Sequence, residues 1–262
     1  MRKERAWLPP ARKFAKFVIL SAIRPLAANV AAYMKKTNVW EVIMKIVAVN
    51  GSPRKDWNTA TLLKSILDGA GEAGAATELI HLYSLDYQGC RSCFACKLVG
   101  KPGYGRCAVK DSLSPILAAI AADADALVIG SPIYFGMISG ETQSFIERLL
   151  FPHLVYSNPP ASLFPRQIPS ASVFTMNVGE ELAGEIGYTA NFARQREFLE
   201  RVLGGPSHTF ACYDTCQMAD YSKIIMEMMD PAKKAARHRD VFPEECRRAR
   251  ALGKELVRQA GA

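Results

Sequence analysis

From Lys45 onward, short apolar runs alternate with segments whose apolar positions recur three and four residues apart. KIVAVN (45–50) is β-rich and ends in GSPR, a turn signal. Residues 59–72 place Leu62, Leu63, Ile66 and Leu67 on one helical face. TELIHL (77–82) predicts a second strand, and residues 113–122 predict a helix that Asp111 or Ser112 could cap. ALVIGS (126–131) reads as a third, buried strand and residues 141–150 as helix. SASVFTMN (170–177) is a fourth strand, 190–203 a helix, SHTFACY (207–213) a fifth strand and 243–260 a closing helix.

Strands separated by helices of this length need right-handed crossovers, which give a parallel sheet covered on both faces. Five such strands predict an α/β fold: a flavodoxin-like, doubly wound five-stranded parallel sheet with helices on both faces. Its ligand crevice is expected at the carboxyl ends of the strands. No internal repeat or low-complexity linker interrupts the pattern, so one domain is expected over 44–262, after an N-terminal extension, 1–43.

Composition adds constraints. The chain has 262 residues, 49% hydrophobic and 22% charged, which suits a globular protein with a sizeable core. Its net charge of +8 is concentrated at the start: residues 1–43 hold nine Lys or Arg against two Asp or Glu, and the remainder is nearly neutral. That distribution leaves no basic footprint for nucleic acid. FVILSAI (17–23), closed by Arg24-Pro25, is too short to span a bilayer, so no membrane partner is expected. The extension reads as a segment without chemistry of its own, with Met34 and Met44 as alternative starts. Seven cysteines suit a reducing cytosol better than a disulfide framework, so a cytoplasmic location is expected.

Two loops carry candidate chemistry. GSPRKDWNTAT (51–61) joins the first strand to the first helix. Its helix N-terminus favours an anion, Arg54 adds a planar charged fork, and Ser52, Asn58, Thr59 and Thr61 add polar groups. It has room for one phosphate monoester and is neither a nucleotide P-loop nor a dinucleotide fingerprint. GSPIYFGMISGET (130–142) follows the third strand and opens into the same crevice, where Tyr134 and Phe135 could face a flat ring. A phosphate with a planar aromatic head is the shape of flavin mononucleotide. Read alone, the first loop could be a polar turn holding water and the aromatic pair could be core.

The segments MKIVAVNGSPR…NTA, GC..C..C, C.VKD.L and ALVIGSPIYFG.ISG…FIERL together resemble the NADPH-dependent FMN reductase-like family, particularly its iron–sulfur-flavoprotein-like branch. The resemblance covers about residues 44–150, and the rest by strand order only. It implies FMN as cofactor and transfer of reducing equivalents. By position, Ser52, Arg54, Asn58, Thr59 and Ala60 would hold the phosphate, and Pro132, Ile133, Tyr134, Phe135 and Gly136 would border the isoalloxazine. The turn from Thr175 through Asn177 to Val178 would close the far side, where TMNVGEE departs from the glycine-rich sequence of many relatives.

With no second dinucleotide fold, NAD(P)H would have to lay its nicotinamide directly on the flavin, and a small-molecule or protein acceptor would follow in the same slot. Rival readings are an electron carrier fed by ferredoxin and a non-catalytic flavodoxin-like binding protein. None of His81, His153, His208 and His238 falls in a motif with a nucleophile or metal ligand. The apolar, proline-punctuated stretch 151–169 is expected to pack on a second subunit, predicting a homodimer. YDTCQMADYSK (213–223) also stands out, without a physical account from the sequence.

Cys90, Cys93 and Cys96 follow the C-x2-C-x2-C spacing by which one loop wraps three corners of a cubane cluster, with Cys107 as a fourth candidate ligand. Its distance from Cys96 exceeds the gap usual in the iron–sulfur branch. A [4Fe–4S] cluster, thiol–disulfide exchange within a C-x2-C pair and four free thiols all stay open. Zinc fits less well, because structural zinc sites favour two separated C-x2-C pairs.

Overall fold

A computed structural model describes residues 43–262; the readings placed on 1–42, including the apolar run 17–23, lie outside the described residues. The described residues form eight strands: β1 (Lys45–Asn50), β2 (Ala76–His81), β3 (Ala126–Tyr134), β4 (Met137–Ile138), β5 (Leu154–Val155), β6 (Ala161–Ser162), β7 (Ile168–Thr175) and β8 (Gly204–Cys212). The helices are α1 (Asn58–Glu72), α2 (Ser114–Asp123), α3 (Gly140–Leu150), α4 (Glu180–Glu185), α5 (Tyr188–Leu203), α6 (Pro231–Asp240) and α7 (Phe242–Ala260). The main sheet runs β2-β1-β3-β7-β8 with every neighbouring pair parallel, and β4 folds back on β3. This is the expected doubly wound order.

The strands read as continuous apolar runs because both faces of the sheet are covered. Alternation along β1 sends Ile46 and Ala48 to a core shared with Leu62, Leu63 and Ile66 of α1 and Leu256 of α7. Val47 and Val49 face the opposite core, shared with Ile120 of α2, Phe145 and Leu149 of α3 and Leu199 of α5. A third cluster, Phe174, Met176, Ala183 and Phe192, closes the carboxyl end of β7.

The structure differs from the sequence reading in four places. Strand β3 runs to Tyr134 rather than stopping at Ser131, because Pro132 stays in register with Thr175 of β7 and the chain then returns as β4. The stretch 151–169 is not a plain loop: β5 and β6 pair as a small hairpin, with Phe164 and Ile168 buried and Tyr156 exposed. Helices α4 and α6 have no counterpart among the predicted elements. In α6 only Lys234 is buried, so no apolar stripe announces it, and Asp230 caps it by accepting from the amides of Ala232 and Lys233. The connection from β8 to α7 is therefore long and structured.

Candidate functional site

Strand β1 ends in a buried asparagine that organises the loop after it. Asn50 Oδ1 accepts from the Ser52 amide at 3.0 Å, and its Nδ2 lies 3.0 Å from His81 Nδ1. The amide donor makes that ring nitrogen the acceptor, so His81 is held neutral. Burial, together with Lys55 and Lys64, lowers its pKa in agreement. Ser52 Oγ in turn accepts from the Arg54 amide at 3.2 Å. Gly51 donates to Gly130 O and accepts from Ser139 Oγ, which ties the loop to β3 and to the start of α3. A Cβ at Gly51 would lie 1.7 Å from Thr142 Oγ1, so this position has no room for any side chain.

Helix α1 begins beneath this loop without a side-chain cap and without an acidic residue in its first turn. Its first helical bond runs from the Thr61 amide to Trp57 O, which leaves the amides of Asn58, Thr59 and Ala60 without a helical acceptor. With Arg54 beside them, these groups present partial and formal positive charge at the carboxyl end of the sheet.

The second loop is a tight hairpin between β3 and β4. Tyr134 pairs with Met137, and the two residues between them, Phe135 and Gly136, have φ of 50° and 81°. Positive φ at both central residues gives the primed turn that matches strand twist, a place where glycine or asparagine is usual and phenylalanine is strained. The Phe135 ring is fully exposed, and Tyr134 beside it is partly exposed. At Gly136 a Cβ would meet the Tyr188 ring at 2.9 Å. Ile133 packs inward against the third cluster and, with Gly136, lines a concavity of about 270 Å³ completed by Ile138, Ile146, Phe192 and Phe198.

The third loop follows β7. Thr175 Oγ1 lies 2.7 Å from Thr59 Oγ1, joining the β7 turn to the start of α1. The sequence-predicted positions thus gather at one sheet edge: 52–60 after β1, 132–136 at the end of β3, and Thr175 with Asn177 after β7. Two of them stand out. Asn58 Oδ1 and Asn177 Oδ1 are buried and accept no hydrogen bond. Buried polar atoms are nearly always paired, and an unpaired one costs about 1–3 kcal/mol. Two such acceptors facing unfilled demand, with open amides nearby, fit a ligand carrying both an anion and O–H or N–H donors. FMN has a phosphate, ribityl hydroxyls and a ring N–H, and so fits this donor and acceptor set.

Sequence reasoning missed what covers this edge. The segment 213–223 lies on the first loop: Asn58 Nδ2 and Trp57 Nε1 donate to Cys216 O at 2.7 and 3.0 Å, and Arg54 Nη1 donates to Gln217 O. Thr215 donates its amide and its hydroxyl to Met176 O, and the Asp214 amide donates to Val178 O. Lys234, 3% exposed, donates to Asn177 O at 2.6 Å and pairs with the Asp214 carboxylate. The available signal was the length of the β8–α7 connection.

The cysteine loop packs below the sheet edge against α3. Cys90, Cys93, Cys96 and Cys107 all line one concavity with Glu147, Arg148 and Phe151. Cys93 sits between two left-handed non-glycine residues, Ser92 (φ 53°) and Phe94 (φ 54°), so the loop is bent tightly around it. Cys96 is buried, which pushes its thiol pKa up. Lys97 closes the loop, donating to the carbonyls of Phe151 and Leu154 and lying 4.5 Å from the Phe151 ring centre. Arg148 anchors both ends: it donates to Gln88 O at 2.9 Å and bidentately to Asp111 at 2.5 and 3.1 Å. The four thiols are the donor set an iron–sulfur cluster takes. Among the described residues, no three Cys, His, Asp or Glu side chains converge closely enough to hold a single metal ion.

The geometry defines a flavodoxin-like α/β protein with uncapped helix amides beside Arg54 and an aromatic hairpin at the carboxyl edge of its sheet. Residues 44–163 match the family model described as NADPH-dependent FMN reductase. An iron–sulfur flavoprotein of Archaeoglobus fulgidus is 38% identical over 105 residues, 40% of this chain and 48% of that protein. One of Methanocaldococcus jannaschii is 34% identical over 105 residues, 40% of this chain and 51% of that protein. Residues 44–163 thus resemble the NADPH-dependent FMN reductase family, and the curated proteins they resemble are iron–sulfur flavoproteins. It spans about half the length of these curated relatives. Among solved structures, an NAD(P)H:quinone oxidoreductase from Methanothermobacter marburgensis superposes with TM-score 0.57 at 14% identity, covering 82% of this chain and all of that one. An azoreductase from Bacillus anthracis gives TM-score 0.57 at 14% identity over 81% of this chain and 100% of that one. These likenesses show the fold.

Proposed function

We propose that the chain is an FMN-dependent oxidoreductase that takes reducing equivalents from NAD(P)H and passes them to a small-molecule or protein acceptor. The observation that carries this reading is the pair of buried, unpaired amide oxygens, Asn58 Oδ1 at the uncapped start of α1 and Asn177 Oδ1 in the turn after β7. In this reading Arg54 and the amides of Asn58, Thr59 and Ala60 hold the phosphate, and Ser52 orders the turn through the Arg54 amide. The two asparagine oxygens accept from the hydroxyls or the ring N–H of the flavin. Pro132, Ile133 and Gly136 shape the hairpin that presents Tyr134 and Phe135 to the ring, and Thr175 braces the far loop against Thr59. FMN, when bound, supplies hydride acceptance and onward electron transfer in one or two steps. The chain binds and orients the cofactor and shields one side of it, and no side chain of the site is assigned a proton-transfer role.

The match of residues 44–163 to the family model described as NADPH-dependent FMN reductase supports the flavin and the nicotinamide donor. Phe135 at the hairpin tip is exposed, as are Met137 and Phe198 lining the concavity beside it, which supports a homodimer that completes the substrate slot. No helix among the described residues is long and apolar enough to cross a membrane. Seven free cysteines support a reducing, cytoplasmic setting. Anaerobic mixing of the flavin-loaded chain with NADH and with NADPH tests the reading: loss of the oxidised flavin band with either is expected, and persistence of the band with both overturns the donor assignment.

The four cysteines lining one concavity support a second reading, an electron carrier taking electrons from ferredoxin through a [4Fe–4S] cluster to FMN. Bleaching by reduced ferredoxin alone, with about four irons per chain, favours it.

A further inference from the structure

Building on the FMN reading, we propose that residues 214–218 form a fixed roof over the phosphate end of the site and make the chain select a mononucleotide flavin over a dinucleotide one. The two cofactors share the isoalloxazine, the ribityl chain and the first phosphate. They differ beyond that phosphate, where the dinucleotide continues through a second phosphate to adenosine. A site that accepts both needs an open path outward from the first phosphate.

Here that path is covered. The carbonyl oxygens of Cys216 and Gln217 are bonded to Asn58, Trp57 and Arg54, the same stretch that offers its amides and guanidinium to the phosphate. A second phosphate at this place would meet two carbonyl acceptors and would have to strip them of their donors. Repulsion between like partial charges then adds to the loss of three hydrogen bonds. A terminal monoester needs neither change, because Arg54 keeps further N–H groups free for it.

The roof is anchored to β7 and to α6 and is braced within itself, so it is not a swinging lid. Toward β7, Thr215 donates twice to Met176 O and the Asp214 amide donates to Val178 O. Toward α6, buried Lys234 holds the carboxylate of Asp214, whose φ of 51° is strained for a non-glycine residue. Within the roof, the Gln217 amide donates to Tyr221 Oη at 2.7 Å, and Cys216 is buried with its thiol donating to Met218 O. Such anchoring is what a selective wall requires, since a segment that opened easily would admit either flavin.

The test uses the full chain stripped of flavin, titrated with FMN and with FAD while flavin fluorescence is followed. Two variants loosen the roof. Trp57→Phe removes one donor to Cys216 O and keeps an aromatic ring, and a second replaces residues 216–221 with a glycine-serine linker. The wild type is expected to prefer FMN by about a hundredfold, and each variant to shift the FAD-to-FMN affinity ratio toward FAD by about tenfold or more. FMN binding that persists with an unchanged ratio in a folded Trp57→Phe chain overturns the roof and leaves the FMN site standing. Failure of the wild type to bind either flavin overturns both.

Discussion

Replacing Arg148 with methionine is expected to cost more stability than any single change in the candidate flavin loops. The side chain is fully buried on α3, and its guanidinium meets Asp111 with two bonds, at 2.5 and 3.1 Å, and Gln88 O at 2.9 Å. Removing one partner of a buried pair costs about 3–5 kcal/mol, because the remaining charge loses its compensation. Asp111 keeps some exposure, 16% of its side chain, so the lower end, about 3 kcal/mol, is expected. Arg148 also holds the Asp111 pKa down to about 2. A carboxylate depressed in this way stabilises the fold above its ordinary pKa, and that contribution fades as pH falls from about 4 toward 2. The deficit of the variant against wild type should therefore narrow over that window. Urea unfolding followed by circular dichroism at pH 7 and at acid pH reads both effects. A double-mutant cycle with Asp111→Asn isolates the pair, and the double variant is expected to be less damaged than the sum of the singles by about 1.5–3 kcal/mol. A loss below about 1 kcal/mol at pH 7, as for a surface pair, or an additive cycle, refutes the clamp.

Phe135→Asn should raise stability by about 1 kcal/mol by relieving a left-handed phenylalanine, and should lower the rate of nicotinamide oxidation if the exposed ring contacts the flavin or its partner; thermal melts and steady-state rates check the two halves. Arg54→Ala is expected to weaken FMN binding by about 1.5–3 kcal/mol, measured by fluorescence titration, and unchanged affinity sinks the phosphate assignment. Removal of residues 1–43 should leave folding and flavin content intact, because β1 starts at Lys45 and Met44 already packs on the core; an insoluble or flavin-free product would move that boundary.

The sheet was legible because its strands are buried on both faces and carry their signal in uninterrupted apolar runs such as KIVAVN and ALVIGS. That the two candidate cofactor loops lie together was legible from strand order, which puts the ends of β1 and β3 side by side. What stayed hidden is held by polar contacts with no periodicity. Helix α6 buries one lysine, the roof is held largely through backbone carbonyls of Cys216, Gln217 and Met176, and Arg148 gave no hint of lying in the interior. The hairpin at Phe135 ran against local preference, since its turn favours glycine or asparagine, and that mismatch is where function is expected to override propensity.

Flavin content is the most direct measure of whether these loops form an FMN site. Anaerobically purified chain, supplemented with FMN and FAD together, freed of unbound flavin and then denatured, should release FMN in about a one-to-one ratio to protein and almost no FAD, as a loop with room for a single phosphate requires. Release of no flavin, or of FAD in equal measure, would contradict it.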